Sequence, residues 1–116
     1  MALNCFVLDL EDDPALIAEY RHWHRPGGPP QSVTDAIRAQ GVREMLIFLS
    51  GNRLCMVVDA DEGFESKAKA ASEAANPEAV AWEQRMSAFQ RALPWAKPGE
   101  KWVECTQIYA LSEQPA

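Results

Sequence analysis

Residues 12–26 read Asp12-Asp13-Pro14-Ala15-Leu16-Ile17-Ala18-Glu19-Tyr20-Arg21-His22-Trp23-His24-Arg25-Pro26, with Tyr20 and His24 four residues apart. On a helix, residues at i and i+4 lie one above the other. A phenol and an imidazole so placed can give and take protons near neutral pH. The element that must hold them is a short amphipathic helix. Asp12 or Asp13 can cap it, and Pro14 suits its first turn. Pro26 disfavours helical geometry at Arg25 and stops it. Leu16, Ile17, Tyr20 and Trp23 form the inward stripe, and His24 continues it beside a loop.

A plainer reading of His24 is a helix-end histidine favoured by the helix dipole. Its neighbour Tyr20 weighs against that, because two polar groups on an inward stripe call for a partner or a ligand. His22 points to another face and reads as surface. The two histidines share no face, and no chelating carboxylates are spaced to help, so no metal site is expected. Trp82 lies on the stripe of a later helix, where it is either core or a stacking platform for a sugar face. Glu83 beside it reads as a solvated carboxylate or an acceptor for a hydroxyl. Asp9 and Glu104 fall in strand patterns and could pair with Arg43 or other cations. Gly27-Gly28 is no phosphate loop, since the flanking prolines remove amide donors. There is no Gly-x-Ser-x-Gly and no recognised Cys–His spacing.

A chain of 116 residues suits one domain, residues 1–116, with one core. Its composition, 47% apolar and 24% charged, is globular. A net charge of −6 argues against non-specific binding to nucleic acid or anionic membrane. No apolar run approaches a membrane span, and the first residues lack the pattern of a signal peptide. Cys5, Cys55 and Cys105 are odd in number and widely spaced, so neither a disulfide framework nor a zinc site is expected. Each falls in an apolar strand pattern and reads as a buried, reduced thiol, which suits the cytoplasm.

Residues 3–10 read as a strand, with Phe6, Leu8 and Leu10 on one face and Cys5, Val7 and Asp9 on the other. After the Tyr20/His24 helix and the loop 25–30, Ser32-x-x-Asp35 resembles a capping box for a second helix that Gly41 closes. Residues 42–49 and 53–59 are strands joined by a hairpin at Ser50-Gly51-Asn52. Residues 64–75 read as an alanine-rich helix, and Asn76-Pro77 opens another with the stripe Ala79, Trp82, Met86, Phe89 and Leu93. A Pro- and Trp-containing connection, 93–101, leads to a last strand, 101–111. This order is the split β-α-β pattern of an α+β, ferredoxin-like antiparallel sheet with helices on one face. The hairpin strands are apolar on both sides, Met45, Ile47 and Leu49 against Val42, Leu46 and Phe48. Something must cover the second face, and a second copy of the chain, forming a dimeric α/β barrel, is the expected cover.

From about Phe6 to Leu111 the chain resembles the L-rhamnose mutarotase family, small dimeric ferredoxin-like proteins that interconvert sugar anomers. The resemblance is most specific at Glu19-Tyr20-Arg21-His22-Trp23-His24. It implies a proton-donating histidine at His24 and a substrate-contacting tyrosine at Tyr20. Ala81-Trp82-Glu83-Gln84-Arg85-Met86 looks like the family's tryptophan-pair helix, with Trp82 as the first of the pair and Glu83 in place of the second. Met45 stands where the family carries a tyrosine, and the loop after His24 lacks the usual Trp-Pro segment. The resemblance therefore implies a cofactor-free isomerase whose acid/base pair is kept while residues that shape the sugar site change. L-rhamnose or L-fucose, both 6-deoxy-L-hexoses, is the expected monosaccharide. The alternative is a non-catalytic small-molecule binder, or a cofactor-free oxygenase, on the same dimeric fold.

Overall fold

In the computed structural model, the structure describes residues 2–61, 64 and 74–116. The elements run β1 (Ala2–Leu10), α1 (Pro14–Trp23), α2 (Gln31–Ala39), β2 (Val42–Ser50), β3 (Arg53–Ala60), α3 (Pro77–Ser87), β4 (Gln90–Arg91) and β5 (Val103–Glu104), followed by a 3-10 turn, Leu111–Glu113. The helix expected at 64–75 lies, apart from its ends, outside the described residues.

The sheet order is β2-β3-β1-β4, with β5 also on β1. All four pairings are antiparallel. β3 thus lies between β1 and β2, and β1 lies between β3 and the fourth edge, which is the ferredoxin-like arrangement. That edge is broken. Arg91 faces Asp9 and Val103 faces Val7. Residues 92–102 are looped out across the one step between them, at Leu8.

Local chemistry explains most boundaries. Asp13 caps α1 by accepting from the Ala15 and Leu16 amides at 2.9 and 3.2 Å. Asn76 does the same for α3 through the Glu78 and Ala79 amides. The hairpin turns on Gly51, whose φ of 60° needs no Cβ. The capping box expected at Ser32 does not form. α2 opens two residues earlier, after Pro30, which offers no side-chain acceptor. The Ser32 hydroxyl donates to Glu78 instead and ties α2 to α3. Asp35 accepts from the Gln31 side chain at 2.9 Å.

Helix-facing side chains form two buried clusters. One holds Phe6, Val42, Met56, Val58 and Ala60, with Met45 and Ile37 against it. The other holds Leu10, Tyr20, Leu54, Met86 and Phe89, flanked by Leu16, Ile17, Trp23 and Trp82. Trp102 packs against both. Val42 belongs to the same face as Met45, not to that of Leu46 and Phe48. A register shift between Val42 and Glu44 inserts one residue and flips the alternation. Phe89 and Leu93 are buried as expected, but beyond α3, which ends at Ser87.

The other sheet face is open: Leu3, Leu46 and Phe48 are 59%, 46% and 56% exposed. The expected strand 101–111 shrinks to Val103–Glu104, extended by a single bond from the Cys105 amide to the Cys5 carbonyl at 2.7 Å. β1 continues to Ala2, but among the described residues no pairing with it is formed beyond Cys105, and Ile108 is 94% exposed. Cys105 is exposed, not buried as expected, because it sits on the last paired step of the edge strand, while Cys5 and Cys55 are half-buried; all three are free thiols. Asp9 pairs with Arg53, its cross-strand partner, at 2.8 Å. Arg43 pairs with Asp59 and Asp61 across the bulge. No helix among the described residues is long and apolar enough to cross a membrane.

Candidate active site

α1 buries Tyr20 and leaves His24 at its C-terminal end, half-buried. The loop that follows folds back tightly. The Gly28 amide donates to the Arg25 carbonyl at 2.8 Å. A Cβ at Gly28 would stand 2.2 Å from the Trp23 carbonyl oxygen, so only glycine fits there. This closure fixes the helix end that carries His24.

The His24 and Tyr20 rings lie 4.3 Å apart, tilted by 31°. His24 Nδ1 donates to the Tyr20 carbonyl at 2.8 Å. A carbonyl only accepts, so Nδ1 carries the hydrogen and the neutral ring offers its Nε2 lone pair. Burial pushes the His24 pKa below 6.5, opposed by the bond to the Tyr20 carbonyl and by the Glu83 charge. Burial likewise raises the Tyr20 phenol above 10, with Glu83 adding to the rise and a hydrogen bond from Gln90 opposing it. At neutral pH the site therefore presents an uncharged imidazole base beside an un-ionised phenol acid.

Trp82 stands edge-on to His24 at 5.5 Å and edge-on to Trp23 at 6.3 Å. The Arg85 guanidinium covers Trp23 at 4.6 Å. Glu83 takes an ion pair from Lys101 at 3.1 Å, and Lys101 also donates to Ser87 Oγ at 2.8 Å. Beside these groups opens a cleft of about 260 Å³, lined by Leu8, Ser87, Gln90, Gly99 and Lys101 among others. A larger cleft, about 530 Å³, lies on the opposite sheet face around Phe48, Arg53 and Cys55, where none of these groups reaches. It reflects the uncovered face.

Of the candidates read from sequence, Tyr20, His24, Trp82 and Glu83 converge. Met45 packs in the other cluster, with Trp102 between. Sequence reasoning missed Gln90, Lys101 and Trp102. Gln90 lies just past a helix in a two-residue strand, and the other two close a loop; no spacing or motif marks any of them.

Fold and site together define a small α+β, ferredoxin-like protein with a helix-borne tyrosine–histidine pair beside tryptophans. The L-rhamnose mutarotase family matches over residues 4–111. An L-fucose mutarotase of Xanthomonas campestris pv. campestris is 49% identical over 109 residues, 94% of this chain and 87% of that protein. The crystal structure of an L-rhamnose mutarotase from Formosa agariphila has a TM-score of 0.64 at 14% identity, covering 96% of this chain and 99% of the other. Tetracenomycin F2 cyclase from Streptomyces glaucescens, a type-II polyketide cyclase, has a TM-score of 0.58 at 15% identity, covering 95% and 98%. At such identities these structures speak for the fold alone. The chain belongs to the L-rhamnose mutarotase family.

Proposed function

We propose that this protein is a sugar mutarotase that interconverts the α and β anomers of a 6-deoxy-L-hexose, L-fucose or L-rhamnose. The observation that carries the reading is the Tyr20–His24 pair: a neutral imidazole with a defined tautomer, stacked on a buried phenol. Family membership supports the reaction class, and the identity to an L-fucose mutarotase favours L-fucose.

Mutarotation opens the pyranose ring and closes it on the other face of the aldehyde. Opening removes a proton from the anomeric hydroxyl and delivers one to the ring oxygen. In this reading His24 Nε2 takes the first and the Tyr20 hydroxyl supplies the second. Ring closure reverses both transfers, because the acid of one direction is the base of the other. The protons return to where they began, so no cofactor is consumed. Trp82 would pack on the sugar face, and Glu83, held by Lys101, would accept from a hydroxyl. Met45, behind Trp102, would shape the apolar end of the site. The open sheet face and the apolar segment around Ile108 support a homodimer. The free thiols suit a reducing cytoplasm.

Exchange NMR of the anomeric protons of L-fucose and L-rhamnose, with and without protein, tests the assignment. Faster exchange for one sugar, lost in His24→Ala, is expected. No acceleration for either sugar or for a wider panel of aldoses would turn the reading to a binder or an oxygenase, and oxygen consumption would single out the latter.

A further inference from the structure

Gln90 both hydrogen-bonds the Tyr20–His24 pair and lines the adjoining cleft. Its main chain is fixed by pairing with Leu10 on β1. Its Nε2 donates to the Tyr20 phenol oxygen at 3.5 Å, a long contact of the kind that tightens when a ligand seats. Its Oε1 is buried and has no hydrogen-bond partner among the described residues. A buried acceptor left unmatched costs free energy, so it marks a place where something is missing. The reversed amide would bury two unmatched N–H hydrogens there, and orphaned N–H groups are the rarer of the two.

We propose that Gln90 positions Tyr20 and binds the sugar: its N–H holds the phenol oxygen as an acceptor, which turns the Tyr20 hydroxyl proton toward the sugar ring oxygen, and its carbonyl oxygen takes a hydrogen bond from a sugar hydroxyl. An amide suits both tasks because it offers a donor and an acceptor a few bonds apart. A carboxylate in its place accepts only, and would draw the Tyr20 proton to itself. The role rests on the mutarotase reading, but the polarity of the Gln90–Tyr20 contact does not.

Two readouts separate them. The first follows phenol ionisation by absorbance in wild type and Gln90→Met. The chain has two tyrosines, and Tyr109, 63% exposed, serves as the internal reference. Losing a donor to the phenol oxygen moves Tyr20 ionisation to higher pH; losing an acceptor of its proton moves it lower. An upward shift is expected, and a downward shift or none would overturn the proposal whether or not the protein acts on sugars. The second readout is kcat and KM for anomer exchange. Gln90→Glu keeps the acceptor and loses the donor, so kcat should fall at least about tenfold with KM held. Gln90→Met should lower kcat and raise KM together. Folded variants with both constants near wild type would sink the proposal. A wild type inactive on every aldose while the phenol shift goes upward would sink the mutarotase reading and the sugar-binding half with it, leaving Gln90 as the residue that orients Tyr20.

Discussion

Tyr20 holds His24 twice, once through its ring at 4.3 Å and once through its main-chain carbonyl, which accepts the Nδ1 proton at 2.8 Å. The same residue thus sets the tautomer of the imidazole and places a phenol beside it, the pair proposed as base and acid. Replacing His24 by alanine removes a half-buried ring at a helix end, not a core anchor. Anomer exchange should drop by about 10²–10⁴-fold while circular dichroism stays native. Full activity in that variant would rule His24 out as the base.

The acid limb of the pH–rate profile should fall below pH 6.5, since burial lowers the His24 pKa. The same shift has a stability consequence with a fixed sign. A depressed pKa means the folded state resists the proton, so the contribution is complete above about pH 6.5 and is lost as pH falls through the folded-state value. Melting temperature against pH for wild type and His24→Gln should diverge below pH 6.5 and run parallel above it. Parallel curves throughout would show that His24 titrates alike in both states.

Lys101 offsets the Glu83 charge that faces both His24 and Tyr20. With Lys101→Met that charge stands uncompensated, and an anion beside an imidazole favours its protonated form. The acid limb should move to higher pH. The ion pair itself is partly exposed and worth little, so stability should change by less than about 1 kcal/mol. An unmoved limb would mean Glu83 is screened by solvent.

Gly28→Ala should destabilise the protein by about 1–3 kcal/mol, because its Cβ would overlap the Trp23 carbonyl oxygen. Urea titration measures the loss. Activity should fall further than the unfolded fraction explains, since the displaced backbone carries the end of α1. A neutral substitution would show that the loop 25–30 can shift without cost.

Phe48, 56% exposed on the open sheet face, should lie in the interface if two copies pair. Light scattering at micromolar concentration should give twice the chain mass for wild type, and Phe48→Glu should shift the balance to monomer. A wild-type monomer would leave the open face to another partner.

Much of this was legible in advance where local chemistry decides. Asp13, Pro14 and Pro26 bracket α1, Asn76 and Pro77 open α3, and the Phe6–Leu8–Leu10 alternation names the buried face of β1. The Tyr20–His24 pair followed from spacing alone. Local signals failed where a distant partner decides. Ser32 looked like a cap but answers to Glu78 on another helix. The bulge near Arg43 reassigns Val42, and an inserted residue leaves no mark on an apolar run. The last strand stops at Glu104 although β1 runs on to Ala2, and no local signal in 105–111 marks that departure from the edge. Gln90 and Lys101 reach the site only through the sheet and the loop 92–102, which no spacing encodes.

That loop also bears on how such a protein can change. It bulges from an edge strand whose pairing resumes on the far side, so its length is decoupled from the sheet. It delivers Lys101 to Glu83 and leads into Trp102, yet shares no backbone hydrogen bond with α1 among those described. Rewriting residues 94–101, with Leu93 and Trp102 kept in the core, would alter one side of the cleft and leave the packing of α1 as it is. The fold thus behaves like a tool with a fixed handle and an exchangeable bit, in which a lineage can swap its sugar without reinventing its chemistry.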